Sequence, residues 1–156
     1  RYVLGGSMGI SYELVTQEDQ QLILALGESV NEEFVIPYLS SDGQEAMRNA
    51  RKGDIEQATN TGIYTSIKAV KNGAIVGYVA WRQGNYIAQL YVSAKNQNQG
   101  IGRGLINQMK RHSGASSIEL KASVNAVGFY KRLGFQSVDT EQVKNGIRYV
   151  PMVLKL

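Results

Sequence analysis

The chain contains no cysteine, which excludes disulfides, thiolate metal sites and a cysteine nucleophile. It also lacks a long apolar run. The most apolar stretches, "LILAL" at 22–26 and "AIVGYVAW" at 74–81, fall far short of the roughly 20 residues that span a bilayer. No secretory signal is visible, and a soluble, cytoplasmic protein is expected. An arginine-rich stripe is missing as well. The 17 basic and 13 acidic residues leave a net charge of +4, and the densest basic spots are the "KR" pairs at 110–111 and 131–132. A nucleic-acid footprint is normally stronger and clustered, whereas this surplus is enough for a small phosphate-bearing ligand. What remains is a globular composition: 156 residues, 43% of them hydrophobic, fit one domain that buries about two-thirds of its unfolded surface.

Patterning gives the order of elements. "RYVLGGSMGI" carries a Gly-Gly-Ser stretch ahead of Met8, so residues 1–7 read as an added leader and 8–156 as the domain. "ISYELVT" (10–16) reads as a strand, and a helix then starts from a Thr16 cap with an acidic first turn and ends before Pro37. A second helix is expected over 40–53, closed by Gly53. "TNTG" turns into "IYTSIKAV", which pairs through "KNG" (71–73) with "AIVGYVAWR", and "QGN" (83–85) leads on to "YIAQLYVS". There follow a helix at 102–113, a strand at 116–122, a helix at 125–134 stopped by Gly134, and a last hairpin around "KNG" at 144–146. The sum is a single mixed α/β layer of the α+β kind, with mostly antiparallel pairs.

One stretch departs from ordinary helix-start chemistry. "QNQGIGRGLINQMK" (97–110) places glycines at 100, 102 and 104 at the mouth of an amphipathic helix, where each costs about 1 kcal/mol relative to alanine if helical. A tight turn needs one glycine, so three suggest backbone N–H groups held close to an anion at a helix N-terminus. A nucleotide P-loop is excluded, because Gly102 and Gly104 are followed by arginine and leucine rather than by Lys-Ser/Thr. A dinucleotide fingerprint fits poorly, because the preceding strand belongs to a hairpin meander. Arg103 in the first turn opposes the helix dipole unless an anion is near, whereas Lys110, Arg111 and His112 sit at the favourable end. His112 lies about 15 Å along the helix from Gly102 at 1.5 Å per residue, and reads as an exposed cation.

Gln97, Gly100 and Gly102, after the strand "AQLYVS", resemble the acyl-coenzyme-A signature Q/R-x-x-G-x-G/A of the GNAT superfamily of N-acetyltransferases. "NAVGFYKRLGF" (125–135) resembles the same family's later helix, with its asparagine, tyrosine and Gly-Phe exit. The resemblance implies a GNAT-like domain, with about seven strands flanked by about four helices. It also implies transfer of an acetyl group from acetyl-coenzyme A, the acyl-donor substrate, to a primary amine of a small molecule or peptide by direct attack. A protein N-terminal or lysine acetyltransferase is the alternative within the family, and a non-catalytic acyl-coenzyme-A-binding module is the alternative outside enzymes. The implied partners are acetyl-coenzyme A and an amine, with no metal, nucleic acid or membrane, and a homodimer is compatible.

By the same resemblance the coenzyme A pyrophosphate meets Gln97, Asn98, Gln99, Gly100, Ile101, Gly102, Arg103 and Gly104. The pantetheine arm runs along Leu90, Tyr91 and Val92, where a backbone N–H would polarise the thioester carbonyl. Asn125 would position the pantetheine, and it also suits a helix N-cap. Asn98 and Gln99 stand where the family often has basic residues, so Lys95, Lys131 or Arg132 are candidates for the 3′-phosphate. Many members carry a glutamate on the strand for deprotonation, but "NYIAQLYVS" holds no acid. Gln89 occupies a plausible base position and cannot take a proton itself. The base is then water held by Gln89 and Tyr91, or Glu32 or Glu33 from the first helix. By the same resemblance Tyr130 is expected to protonate the leaving thiolate; helix geometry permits it, since Ala126, Phe129, Tyr130 and Leu133 share a face, and that face equally suits a core aromatic. Trp81 and Tyr78 read as packing residues. The loop 34–43, with Tyr38 and Ser40, and the last hairpin, with Asp139, Glu141, Arg148 and Tyr149, are expected to set substrate choice.

Overall fold

The computed structural model describes residues 3–7, 9–60 and 62–156. Residues 1, 2, 8 and 61, the last within the expected "TNTG" turn, lie outside the described residues. The strands are β1 (Val3–Ser7), β2 (Ile10–Leu14), β3 (Tyr64–Lys71), β4 (Ala74–Arg82) and β5 (Tyr86–Val92), then β6 (Ser117–Ser123), β7 (Gln136–Ser137), β8 (Gln142–Lys144) and β9 (Ile147–Lys155). Helices α1 (Gln20–Phe34) and α2 (Ser41–Ala58) follow β2, α3 (Ile101–Ser113) follows β5, and α4 (Val127–Arg132) follows β6. One sheet runs in the order β1-β2-β3-β4-β5-β6-β9-β7, with β8 also on β9. Every pair is antiparallel except β5–β6. The mixed, mostly antiparallel α/β layer read from the sequence is the fold.

Val3–Ser7 pairs with β2, and Leu4 packs against the core. One expectation is corrected. Gly53 does not close α2. The helix runs on to Ala58 because Ile55 and Ala58, both essentially inaccessible, must reach the core beneath. A mid-helix glycine costs about 1 kcal/mol, less than the 1.5–3 kcal/mol from burying an isoleucine.

Period-two alternation divides the core between the two sheet faces. Ile67, Ala69, Val79, Trp81, Ile118 and Leu120 pack on one side with Ile101, Leu105, Ile106 and Met109 of α3. Tyr78 and Ala80 point to the other side, against Ile23, Leu26 and Val30 of α1 and Ile55 of α2. That second face is polar toward its edge. Lys68, buried in β3, donates to Asp19 Oδ2 at 2.7 Å, and its Nζ lies 4.0 Å from buried Glu13. Asp19 in turn accepts from the Thr16 amide at 2.8 Å, as the acidic first turn foreshadowed. Burial by itself would raise the Asp19 carboxyl, but the hydrogen bonds from Lys68 and Thr16 and the lysine charge hold it below the ordinary range.

Candidate functional site

The site starts from a fault in one strand. In β5, Gln89 pairs with Ala80 and Ile87 with Trp81, so Ala88 has no partner on β4 and forms a bulge. Past it, β5 leaves its other neighbour too: β5 and β6 pair only at Tyr86–Glu119 and Ile87–Leu120. The two parallel strands then part, leaving Leu90, Tyr91 and Val92 half-buried in the opening. Ser93 N donates to Val76 O at 2.9 Å. Since antiparallel ladders alternate, Tyr91 and Gln89 are bonded toward β4, and the backbone polar groups of Leu90 and Val92 face the gap. The Val92 carbonyl already accepts from Gln97 Nε2 at 2.7 Å. The sequence carried a signal for this fault: the apolar positions Ile87, Leu90 and Val92 break strict alternation by one residue.

At the end of that opening stands the glycine stretch, and its three glycines do different things. Gly100 is the α3 N-cap with φ 77°, and a Cβ there would meet nothing within 4 Å. Gly102 is buried, and a Cβ there would lie 2.5 Å from Phe129 Cζ. A Cβ on Gly104 would collide with the Tyr12 hydroxyl. Two of the three therefore also serve helix–helix and helix–sheet packing. Anion chemistry persists at the helix mouth itself. No side chain caps α3, and its first intrahelical bond is Gly104 N to Gly100 O at 2.9 Å. The amides of Ile101, Gly102 and Arg103 therefore have no intrahelical acceptor. Asn98 (φ 61°) and Gly100 wind the preceding turn through left-handed conformations, the kind of backbone that gathers N–H groups into a nest.

Cations lie close by. Lys71, at the end of β3, donates to Gln99 Oε1 at 3.0 Å. It was missed in the sequence because 28 residues separate it from the turn. Arg103 Nη2 donates to Arg132 O at 3.4 Å, tying the start of α3 to α4. His112 is exposed at the far end of α3, edge-on to buried Trp81, as its spacing implied.

Tyr130 is buried between Phe129 and Phe135, with ring centroids 5.1 and 5.4 Å away. Burial, and then the proximity of Tyr91, push its hydroxyl well above the ordinary phenol value. A phenol so shifted keeps its proton at neutral pH. Tyr91 stacks on Tyr78 with centroids 6.0 Å apart, and burial raises its hydroxyl to about 12, assisted by the Asp54 charge and opposed by Asn31 and Arg51. Tyr78, inaccessible as expected of a packing residue, donates to Gln89 Oε1 at 2.9 Å, which fixes the Gln89 amide.

Asn125 is not a helix cap. It sits inside a short 3-10 turn, Val124–Ala126, and donates to the Phe34 carbonyl at the end of α1. Glu32 is engaged by Arg48 Nε at 3.0 Å and Nη2 at 3.2 Å, a clasp between α1 and α2. Glu33 is exposed. Ser40 caps α2 by accepting from Gly43 N at 3.1 Å, while Tyr38 is 55% exposed. In the last hairpin Arg148 grips Glu141 through two bonds of 2.9 Å, and Tyr149 donates to Gln142. Among the described residues no helix is long and apolar enough to cross a membrane.

Comparison with known proteins bears on the family and the fold. A family model described as an acetyltransferase (GNAT) domain matches residues 26–156. No curated protein matches the chain by sequence. Among solved structures, a GCN5-related N-acetyltransferase (aminotransferase, class-II) from Rhodopseudomonas palustris superposes with TM-score 0.79 at 22% identity, covering 97% of this chain and 100% of its own. PaiA N-acetyltransferase from Thermoplasma acidophilum, solved in complex with coenzyme A, gives 0.77 at 17% identity, covering 96% and 100%. The ribosomal-protein-S18-alanine N-acetyltransferase from Escherichia coli gives 0.66 at 14% identity, covering 94% and 93%. Those likenesses establish the fold, and the family match over most of the length establishes kinship: the chain belongs to the GNAT acetyltransferases.

Proposed function

We propose that this protein transfers an acetyl group from acetyl-coenzyme A to the primary amine of a small molecule or peptide by direct attack. The observation that carries the reading is the gap between β5 and β6, with the Leu90 backbone and the Val92 amide turned into it on the way from the Ala88 bulge to the uncapped start of α3. An extended pantetheine fits such an edge as an added strand would, and the pyrophosphate fits the amides of Ile101, Gly102 and Arg103 with Gln97, Asn98, Gln99 and Gly104 around them. A backbone N–H of Leu90 or Val92 then stabilises the charge that develops on the thioester oxygen. Tyr130 donates a hydrogen bond to the departing sulfur, and Gln89 orients the attacking amine or its water. Asn125 positions the pantetheine arm. The relative solved with coenzyme A supports the donor assignment.

The test is acetyl-coenzyme A incubated with a panel of primary amines, following free thiol and product mass together. The expected result is thiol release stimulated by at least one amine, with one acetylated amine per thiol. Slow thiol release that no amine accelerates would overturn the reading in favour of a non-catalytic binding module.

A further inference from the structure

The strand that carries Gln89 holds no carboxylate, yet the cleft beside it does. A cavity of about 210 Å³ is lined by Asp54, Tyr64, Arg82, Tyr86, Ala88 and Gln89. Register explains its floor. Tyr64 pairs with Arg82, Arg82 with Tyr86 and Tyr86 with Glu119, so this row shares one sheet face, next to the row that joins Ala80 to Gln89. The Ala88 bulge opens the floor between the two rows, and α2 crosses above it and presents Asp54.

Resting on the acetyl-transfer reading, we propose that Asp54 is the catalytic residue that receives the ammonium proton of a compact primary amine bound in this cleft. Three observations carry it. The Asp54 carboxylate makes no hydrogen bond or ion pair among the described residues, whereas Glu32 is held by Arg48 and Glu141 by Arg148. Arg82, which lines the same cleft, lies 4.6 Å over the Tyr86 ring in a cation–π contact rather than on the carboxylate. The cleft is walled by Tyr64 and Tyr86, whose ring faces beside the Asp54 carboxylate suit a small ammonium group. The charged and titratable groups that share the cleft with Asp54 are Tyr64 on β3, Arg82 on β4 and Tyr86 on β5, and its charge, like that of Arg51 on its own helix, is felt at Tyr91 on β5. Partial burial raises its carboxyl above the ordinary value, which brings it nearer to a working base.

The step balances without a further reactant. The ammonium gives one proton to Asp54, which later releases it to water. The free amine forms the C–N bond, the C–S bond breaks, and the second nitrogen proton goes to the departing sulfur. The products are the acetamide, coenzyme A thiol and one proton.

The test compares the parent chain with Asp54→Asn using two nucleophiles at pH 7. 2-Phenylethylamine is protonated there and needs a base, whereas hydroxylamine is already neutral. Asp54→Asn is expected to lower kcat/KM at least about 100-fold for 2-phenylethylamine and to leave hydroxylamine within about 3-fold. The acid limb of the 2-phenylethylamine pH profile is expected to vanish with it. Equal losses for both nucleophiles, or kcat/KM for 2-phenylethylamine within about 3-fold of the parent, would overturn the role of Asp54 while leaving acetyl transfer standing. A parent chain that transfers to neither of these two but to another amine of the panel would overturn the compact-amine assignment of the cleft, and one that no amine accelerates would bring down the transfer reading itself, and this inference with it.

Discussion

At Gly100 the backbone φ of 77° and the open space around the Cα separate conformation from packing, and Gly102 reverses the combination. Aspartate tolerates left-handed backbone better than most residues, and its charge suits a helix N-terminus. Gly100→Asp is therefore expected to keep the fold and lower stability only modestly, by about 1 kcal/mol of left-handed backbone strain. It should weaken acetyl-coenzyme A binding at least about tenfold, equivalent to about 1.4 kcal/mol, by placing a negative charge against the pyrophosphate. Gly102→Ala should instead cost about 1–3 kcal/mol of stability through the clash with Phe129. Denaturant titration and binding measured on both variants check the pair, and an unchanged affinity in Gly100→Asp would move the phosphate site elsewhere. Tyr130 is tested by Tyr130→Phe, which keeps the ring between Phe129 and Phe135. Turnover is expected to fall about 10-fold or more, with acetyl-coenzyme A affinity and melting temperature nearly unchanged. Turnover within two-fold of the parent would reduce Tyr130 to a packing residue.

At the scale of elements, the entry of α1 is pinned to β3 by one buried lysine. Lys68 serves Asp19 at 2.7 Å and stands 4.0 Å from Glu13. Removing one partner of a buried pair costs about 3–5 kcal/mol, because the other charge is left uncompensated, and Lys68→Met is expected to fall in that range near pH 7. The Asp19 carboxyl is depressed in the folded state, so its contribution is fully present above the unfolded carboxylate pKa of about 3.9. It is lost as pH falls through the lower folded value. The stability gap between the parent and Asp19→Asn should accordingly be widest near neutrality and close on acidification, as chemical denaturation at several pH values would show. A gap independent of pH would mean that shape, not charge, holds the junction. Elements with strong local signals were legible in the sequence: the Thr16–Asp19 helix start, the tight "KNG" turns and the amphipathic α3. The end of α2 was not, because Gly53 is a local stop signal overridden by the tertiary burial of Ile55 and Ala58.

Across the whole molecule, the order of strands and helices followed from periodicity, while the parting of β5 from β6 did not. Which strands lie side by side is settled by contacts far apart in sequence, such as Ile87 with Leu120. The same limit hid Lys71 behind Gln99, the Asn125–Phe34 link and the approach of Asp54 to Gln89. The candidate residues of the glycine turn and β5 could be named from their motif. Their division into packing, conformation and exposed backbone required the fold. The account stands on one physical claim, that the β5–β6 gap and the mouth of α3 together hold acetyl-coenzyme A. A ligand that binds only the folded chain stabilises it by about 2.7 kcal/mol at one hundred times Kd. Thermal unfolding of the intact chain with and without millimolar acetyl-coenzyme A measures this directly. The account predicts a rise in melting temperature that saturates with ligand and is largely absent in Gly100→Asp, and an unmoved transition in the parent chain would contradict it.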